Sequence, residues 1–191
     1  MASLRDQTAR IVMPQGSVLS GTVTDPNGAP VADAVVVFGS DPYGQTGSQE
    51  VRTDADGVYH LPPLKPEPTT VTVIAEGWRP EMRAVEVRQG APPEDFQLDD
   101  GHALQIRFID AHRNPIPDVG VGIRTWRDKK SLYNHRHPEV LDTQIPAISD
   151  GQGIYQWLWA PEDDVDYVFQ KKGYRPMGKS LAVHIIRLVK D

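Results

Sequence analysis

The chain has 191 residues, a formal net charge of −6 with both signs mixed, and no cysteine. That length suits one or two domains, the acidic balance leaves no basic face for nucleic acid or an anionic membrane, and the absence of cysteine excludes disulfides and thiolate metal sites. No stretch of eighteen apolar residues occurs, so membrane insertion is not expected, and Met1–Arg10 lacks the apolar centre of a signal peptide. In chain order, Val18–Thr24 alternates and runs into the turn Asp25-Pro-Asn-Gly28, the chemistry of a tight hairpin. Ala34–Phe38 is a continuous apolar run suited to a central strand covered on both faces. Val51–Thr53 and Val58–Leu61 flank Asp54-Ala-Asp-Gly57 as a second hairpin. Thr69–Ala75, a turn over Gly77–Pro80, Met82–Arg88 and Phe96–Leu98 complete about seven strands. Beyond them follow Leu104–Asp110, Val119–Thr125, Gly153–Trp159, Val165–Lys171 and Leu181–Val189. No segment shows a capped helical period.

The chain repeats itself. Thr53-Asp-Ala-Asp-Gly-Val-Tyr59 returns as Ser149-Asp-Gly-Gln-Gly-Ile-Tyr155, and Gly77-Trp-Arg-Pro80 returns as Gly173-Tyr-Arg-Pro176, both shifted by 96 positions. Asp25 and Asp33 answer Asp110 and Asp118, and Gly16 answers Gly101, with a shift of 85. Matches in the same order with one change of spacing mean two copies of one domain. Seven short strands per copy, with turns every eight to twelve residues, indicate a Greek-key sandwich. The expected fold is therefore all-β, two tandem seven-stranded Greek-key β-sandwiches, over 16–100 and 101–191. Residues 1–15 read as a leader or the remnant of a preceding closing strand. The short link Leu98-Asp-Asp-Gly101 predicts units placed end to end at a restricted angle.

The stretch Gly21-Thr-Val-Thr-Asp-Pro-Asn-Gly-Ala-Pro-Val-Ala-Asp-Ala-Val-Val36, followed by Thr53–Leu61, resembles the carboxypeptidase regulatory-like domain. The second copy resembles it well from Ser149 to Pro176 and more loosely at its start, where Ile106 replaces Gly21. The resemblance implies a transthyretin-like (prealbumin-like) sandwich of the carbohydrate-binding-like fold. It also implies a role as spacer, adhesive module or accessory domain in bacterial surface and regulatory proteins. The implied setting is the cell surface, the periplasm or the exterior.

Catalysis is not expected. No His is followed three residues on by Glu, as a zinc carboxypeptidase requires. Intradiol dioxygenases, which share the sandwich, place a His pair after the Asp-x-Asp-Gly-x-Tyr segment, whereas His135-Arg-His137 precedes its second copy. Asp54 and Asp56 fail as an EF-hand because the twelfth position is Lys65, so they read as turn residues. No cofactor and no metal are expected.

The eleven residues by which the two shifts differ fall between Thr125 and Ser149, in an insertion read as 126–143. Loops on a rigid sandwich are where recognition sits. Trp126 and Tyr133 are candidates to stack on a sugar, with His135, Arg136 and His137 donating to its hydroxyls. The competing reading packs Trp126 inward and leaves the rest solvated. His135 and His137 make only half a metal site. The leading expectation is a non-catalytic accessory or spacer module, a section of a larger bacterial protein, making protein or glycan contacts and partnering that protein's other domains. The alternative is a carbohydrate-binding module using the 126–137 loop, with cell-wall polysaccharide as its partner.

Overall fold

The computed structural model describes residues 15–39, 50–130, 132, 145–181 and 186–188. These form thirteen strands, with no helix among the described residues. The first half contributes β1 (Ser20–Thr24), β2 (Val35–Phe38), β3 (Glu50–Arg52), β4 (Val58–His60), β5 (Pro68–Ala75), β6 (Trp78–Glu86) and β7 (Phe96–Gln97). The second contributes β8 (His102–Phe108), β9 (Gly120–Trp126), β10 (Ile154–Ala160), β11 (Val165–Gln170), β12 (Met177–Leu181) and β13 (Ile186–Leu188). They lie in four sheets, ordered β4-β1-β7, β3-β2-β5-β6, β10-β8-β13 and β12-β11-β9. β1 runs antiparallel to β4 and parallel to β7, and β8 runs antiparallel to β10 and parallel to β13.

Period-two burial explains why these residues form strands. In β8, Leu104, Ile106 and Phe108 are buried while Ala103, Gln105 and Arg107 are exposed, so one face packs and the other meets water. In β10, Tyr155, Trp157 and Trp159 take the buried face, with Trp157 and Trp159 edge to face at 5.3 Å. β2 differs, because all four of its residues are buried and both faces must be covered.

Four aspartates close the hairpins by one device. The carboxylates of Asp25, Asp54, Asp110 and Asp150 each accept backbone amides two and four residues on, at 2.8–3.0 Å. The residue three on takes a left-handed conformation: Gly28 (φ 81°), Gly57 (72°), Arg113 (67°) and Gly153 (69°). Gly57 and Gly153 also lack room for a Cβ, which would lie 2.5 Å from Val23 O and 2.7 Å from Phe108 O respectively. The repeated Asp is thus explained by orphan backbone donors, and one oxygen of the Asp54 carboxylate is spent on them.

The buried hydroxyls that open both copies of the repeated motif serve similarly. Thr53 Oγ1 accepts from Ala34 N and donates to Val31 O, both at 2.8 Å, and Ser149 Oγ accepts from Val119 N at 2.9 Å. Each pins the segment entering β2 or β9, next to a left-handed aspartate, Asp33 (φ 60°) or Asp118 (φ 52°).

Two expectations need correction. The turn placed at Gly77–Pro80 is tighter, because β6 starts at Trp78 and Gly77 (φ 84°) makes the corner. Pro80 is tolerated inside β6 because β6 is an edge strand. The single closing strand read at Leu181–Val189 is two strands, Met177–Leu181 beside β11 and Ile186–Leu188 beside β8. Leu181 and Ile186 thus belong to different sheets. The second half has six named strands among the described residues.

The halves also meet through side chains far from the link. Contact is not confined to the link at Leu98–Gly101. The odd residues of β2 (Val35, Val37) and Ile74 of β5 share one buried cluster with the core of the second half, and half-buried Met82 of β6 packs against it. The even residues Val36 and Phe38 belong to the first half's own cluster, with Val71 and Val73. The β3-β2-β5-β6 sheet is therefore an inner layer with apolar residues on both faces.

Candidate functional site: the junction cleft

Where the halves meet, a cleft is walled by Arg79–Glu81 of β6 on one side and by Trp126–Arg127 and Pro161–Asp163 on the other. The link is fixed by backbone as well as by side chains. Arg79 N donates to Asp99 O at 2.8 Å, its guanidinium pairs with Asp99 Oδ2 at 2.6 Å, and Trp78 bridges Asp100. A Cβ on Gly101 would lie 2.4 Å from Trp159 Cα, so only glycine lets the chain run this close to β10. His102 Nε2 meets Glu162 Oε1 at 2.7 Å.

Trp126 ends β9 and is 1% exposed. Its indole N–H donates to Asp163 Oδ1 at 2.8 Å, and Arg127 Nε donates to Asp163 Oδ2 at 2.5 Å. The Arg127 guanidinium also lies 4.5 Å from the centre of the Trp126 ring. Burial of Asp163 opposes its charge, but the hydrogen bonds from Arg127 and Trp126 outweigh this and hold its carboxyl below the usual range. Arg127 (φ 48°) and Asp128 (φ 60°) are both left-handed, in a two-residue turn closed by reciprocal 2.9 Å bonds between Trp126 and Lys129. Asn-Gly is the favoured pair for such a turn, so Arg127 and Asp128 carry strain of about 1–2 kcal/mol each. The Asp163 contacts offset that strain and fix the first residues of the insertion.

Of the five residues proposed from sequence as ligand-binding, Trp126 turns inward, with its ring packed and no open face for a sugar. Tyr133, His135, Arg136 and His137 lie outside the described residues. Leu132 and Ile145, also between Thr125 and Ser149, are buried in the shared cluster. Among the described residues no group of three His, Asp or Glu side chains is placed to hold a metal. Arg79, Asp163 and Glu162 escaped the sequence reading. Their only signal was position, in the turn repeated as Gly77-Trp-Arg-Pro80 and in the acidic run before β11.

Magnitudes decide what the junction rests on. Its ion pairs are largely exposed, worth roughly 0–1 kcal/mol each. Burying Val35, Val37 and Ile74 contributes about 1.5–3 kcal/mol per side chain. Apolar contact holds the halves together, and the ion pairs select the geometry.

Residues 18–99 match the family described as the carboxypeptidase regulatory-like domain. No curated protein sequence matches the chain. Among solved structures, the chain is similar to the Bacillus anthracis TIE protein (16% identity, TM-score 0.38, covering 92% of this chain and 33% of that one). It is also similar to GBS52, the minor pilin of Streptococcus agalactiae (11% identity, TM-score 0.39, 90% and 94% covered). A 3-chlorocatechol 1,2-dioxygenase from Rhodococcus opacus is similar over less of the chain (13% identity, TM-score 0.32, 44% and 58% covered). Likenesses this distant say nothing of what the chain binds or does.

Proposed function

We propose that the chain is a rigid, non-catalytic spacer and interaction module, made of two copies of one transthyretin-like Greek-key sandwich over 16–100 and 101–191. Its task is to hold the domains or subunits of a larger protein at a fixed separation and angle. The two-copy reading is supported by equivalent strand neighbours. β1 sits between an antiparallel β4 and a parallel β7, as β8 sits between β10 and β13. β5 sits between β2 and β6 as β11 sits between β9 and β12. The family match over 18–99 supports the identity of the first copy and, with it, a setting at the cell surface, in the periplasm or outside the cell.

The observation that carries the spacer role is the cluster shared by the two halves, which makes relative motion cost burial of Val35, Val37 and Ile74. The inward Trp126 favours protein contacts over glycan contacts. Calorimetry tests the proposal. A rigid pair unfolds in one cooperative transition, and Ile74→Asp splits it into two. Two transitions in the unaltered chain would refute it.

A further inference from the structure

We infer that the second half is a cap: the apolar surface by which the first half stacks on it gives way, in the second half, to one rich in glycine and polar side chains that no further unit can stack on in the same way. This rests on the two-copy reading. The shifts of 85 and 96 are consistent with the strand pairing, since Val35 pairs with Ile74 as Gly120 pairs with Gln170, and Thr72 pairs with Met82 as Val168 pairs with Gly178. Equivalent positions can therefore be read pair by pair.

On the inner face the chemistry is conserved between halves. Val36 and Phe38 correspond to Val121 and Ile123, and Val71 and Val73 to Tyr167 and Phe169, all buried. On the outer face it is not. Val35, Val37, Ile74 and Met82 of the first half correspond to Gly120, Gly122, Gln170 and Gly178 of the second. The first three of the former are at most 2% exposed and Met82 packs against the same cluster. Of the latter, Gln170 and Gly178 are exposed and Gly120 and Gly122 are only half-buried. Exposed Arg124 lies across this face, its guanidinium 2.9 Å from where a Gly178 Cβ would stand.

A surface whose compared positions keep half-buried Val168 as their one apolar side chain, and which a solvated cation crosses, gains little from burial and incurs the desolvation of Arg124 and Gln170. Stacked modules need such a polar outer face where the stack ends. The partner of the first half's outer face is thus the second half alone.

The test restores the first half's residues on the second, as Gly120→Val, Gln170→Ile and Gly178→Met together, with sedimentation velocity followed over a wide concentration range. The unaltered chain is expected to show one concentration-independent monomer boundary, and the triple variant a boundary that moves to dimer as concentration rises. A triple variant that stays monomeric, or an unaltered chain that already associates, overturns the inference. Should the triple variant fail to fold, Gln170→Cys, the sole thiol of that chain, gives a second readout. Full reactivity with a water-soluble maleimide is expected, and protection that deepens with protein concentration overturns the cap. Failure of the two-copy spacer reading would show separately, as two calorimetric transitions in the unaltered chain.

Discussion

The hydroxyl of Tyr59 donates to the carbonyl oxygen of Glu94 at 2.7 Å, across the bare backbone of Gly21. A Cβ on Gly21 would stand 2.0 Å from that oxygen, so glycine is what lets the segment before β7 come within reach. In the second half Ile106 fills the corresponding place opposite Tyr155, and the Tyr155 hydroxyl is buried with no hydrogen-bond partner among the described residues. The same tyrosine is a satisfied anchor in one half and an uncompensated burial in the other.

Two substitutions therefore diverge. Tyr59→Phe should cost about 1 kcal/mol, the net value of a hydrogen bond, while leaving Glu94 O to find water. Tyr155→Phe should be neutral or stabilising by up to about 1–2 kcal/mol, since it removes an unmet donor. Urea unfolding of both variants checks the contrast, and equal losses would contradict it.

Thr72 provides a second case. It is fully buried on the outer face of β5, its hydroxyl has no partner among the described residues, and Val168 stands at its counterpart. Thr72→Val should raise stability by about 1–2 kcal/mol. A lower denaturation midpoint in the variant would show that the hydroxyl is satisfied.

Alkaline pH should unfold the protein through its tyrosines. Burial, and then the charge of Glu94, pushes the Tyr59 hydroxyl well above its ordinary 10.0, and burial does the same to Tyr155 and Tyr167. The folded form thus holds protons that the unfolded chain releases above about pH 10, so their contribution is whole below that pH and falls as pH rises. The slope should reach up to ~1.4 kcal/mol per pH unit for each tyrosine. Melting temperature followed from pH 8 to 11 checks this, and Tyr155→Phe should flatten the fall.

Arg113 occupies a left-handed position (φ 67°) where Gly28 stands in the first half. Arg113→Gly should stabilise by at most about 1 kcal/mol, relief of strain exceeding the added freedom of the unfolded chain. Thermal melts of the variant read it directly.

The strands were legible because burial on one face writes a two-residue period, as in Leu104, Ile106 and Phe108, and the hairpins because aspartate and glycine mark left-handed corners. The run Val35–Phe38 announced burial on both faces, but nothing local says what covers the outer one, since that partner lies in the other half of the chain. Trp126 had two readings for the same reason. Its inward packing depends on Asp163, a residue with no motif. Leu181–Val189 was misread as one strand because crossing between sheets leaves no mark on hydrophobic alternation.

The central claim, that the halves form one rigid body, is tested most directly by a distance between them. Asn27 and Gly151 are exposed turn residues in opposite halves, and the chain has no cysteine, so Asn27→Cys and Gly151→Cys carry spin labels at these two sites alone. Double electron–electron resonance should give a single narrow distance distribution, unchanged by salt because apolar burial rather than the exposed ion pairs holds the junction. A broad or multimodal distribution, or one that widens with salt, would contradict it.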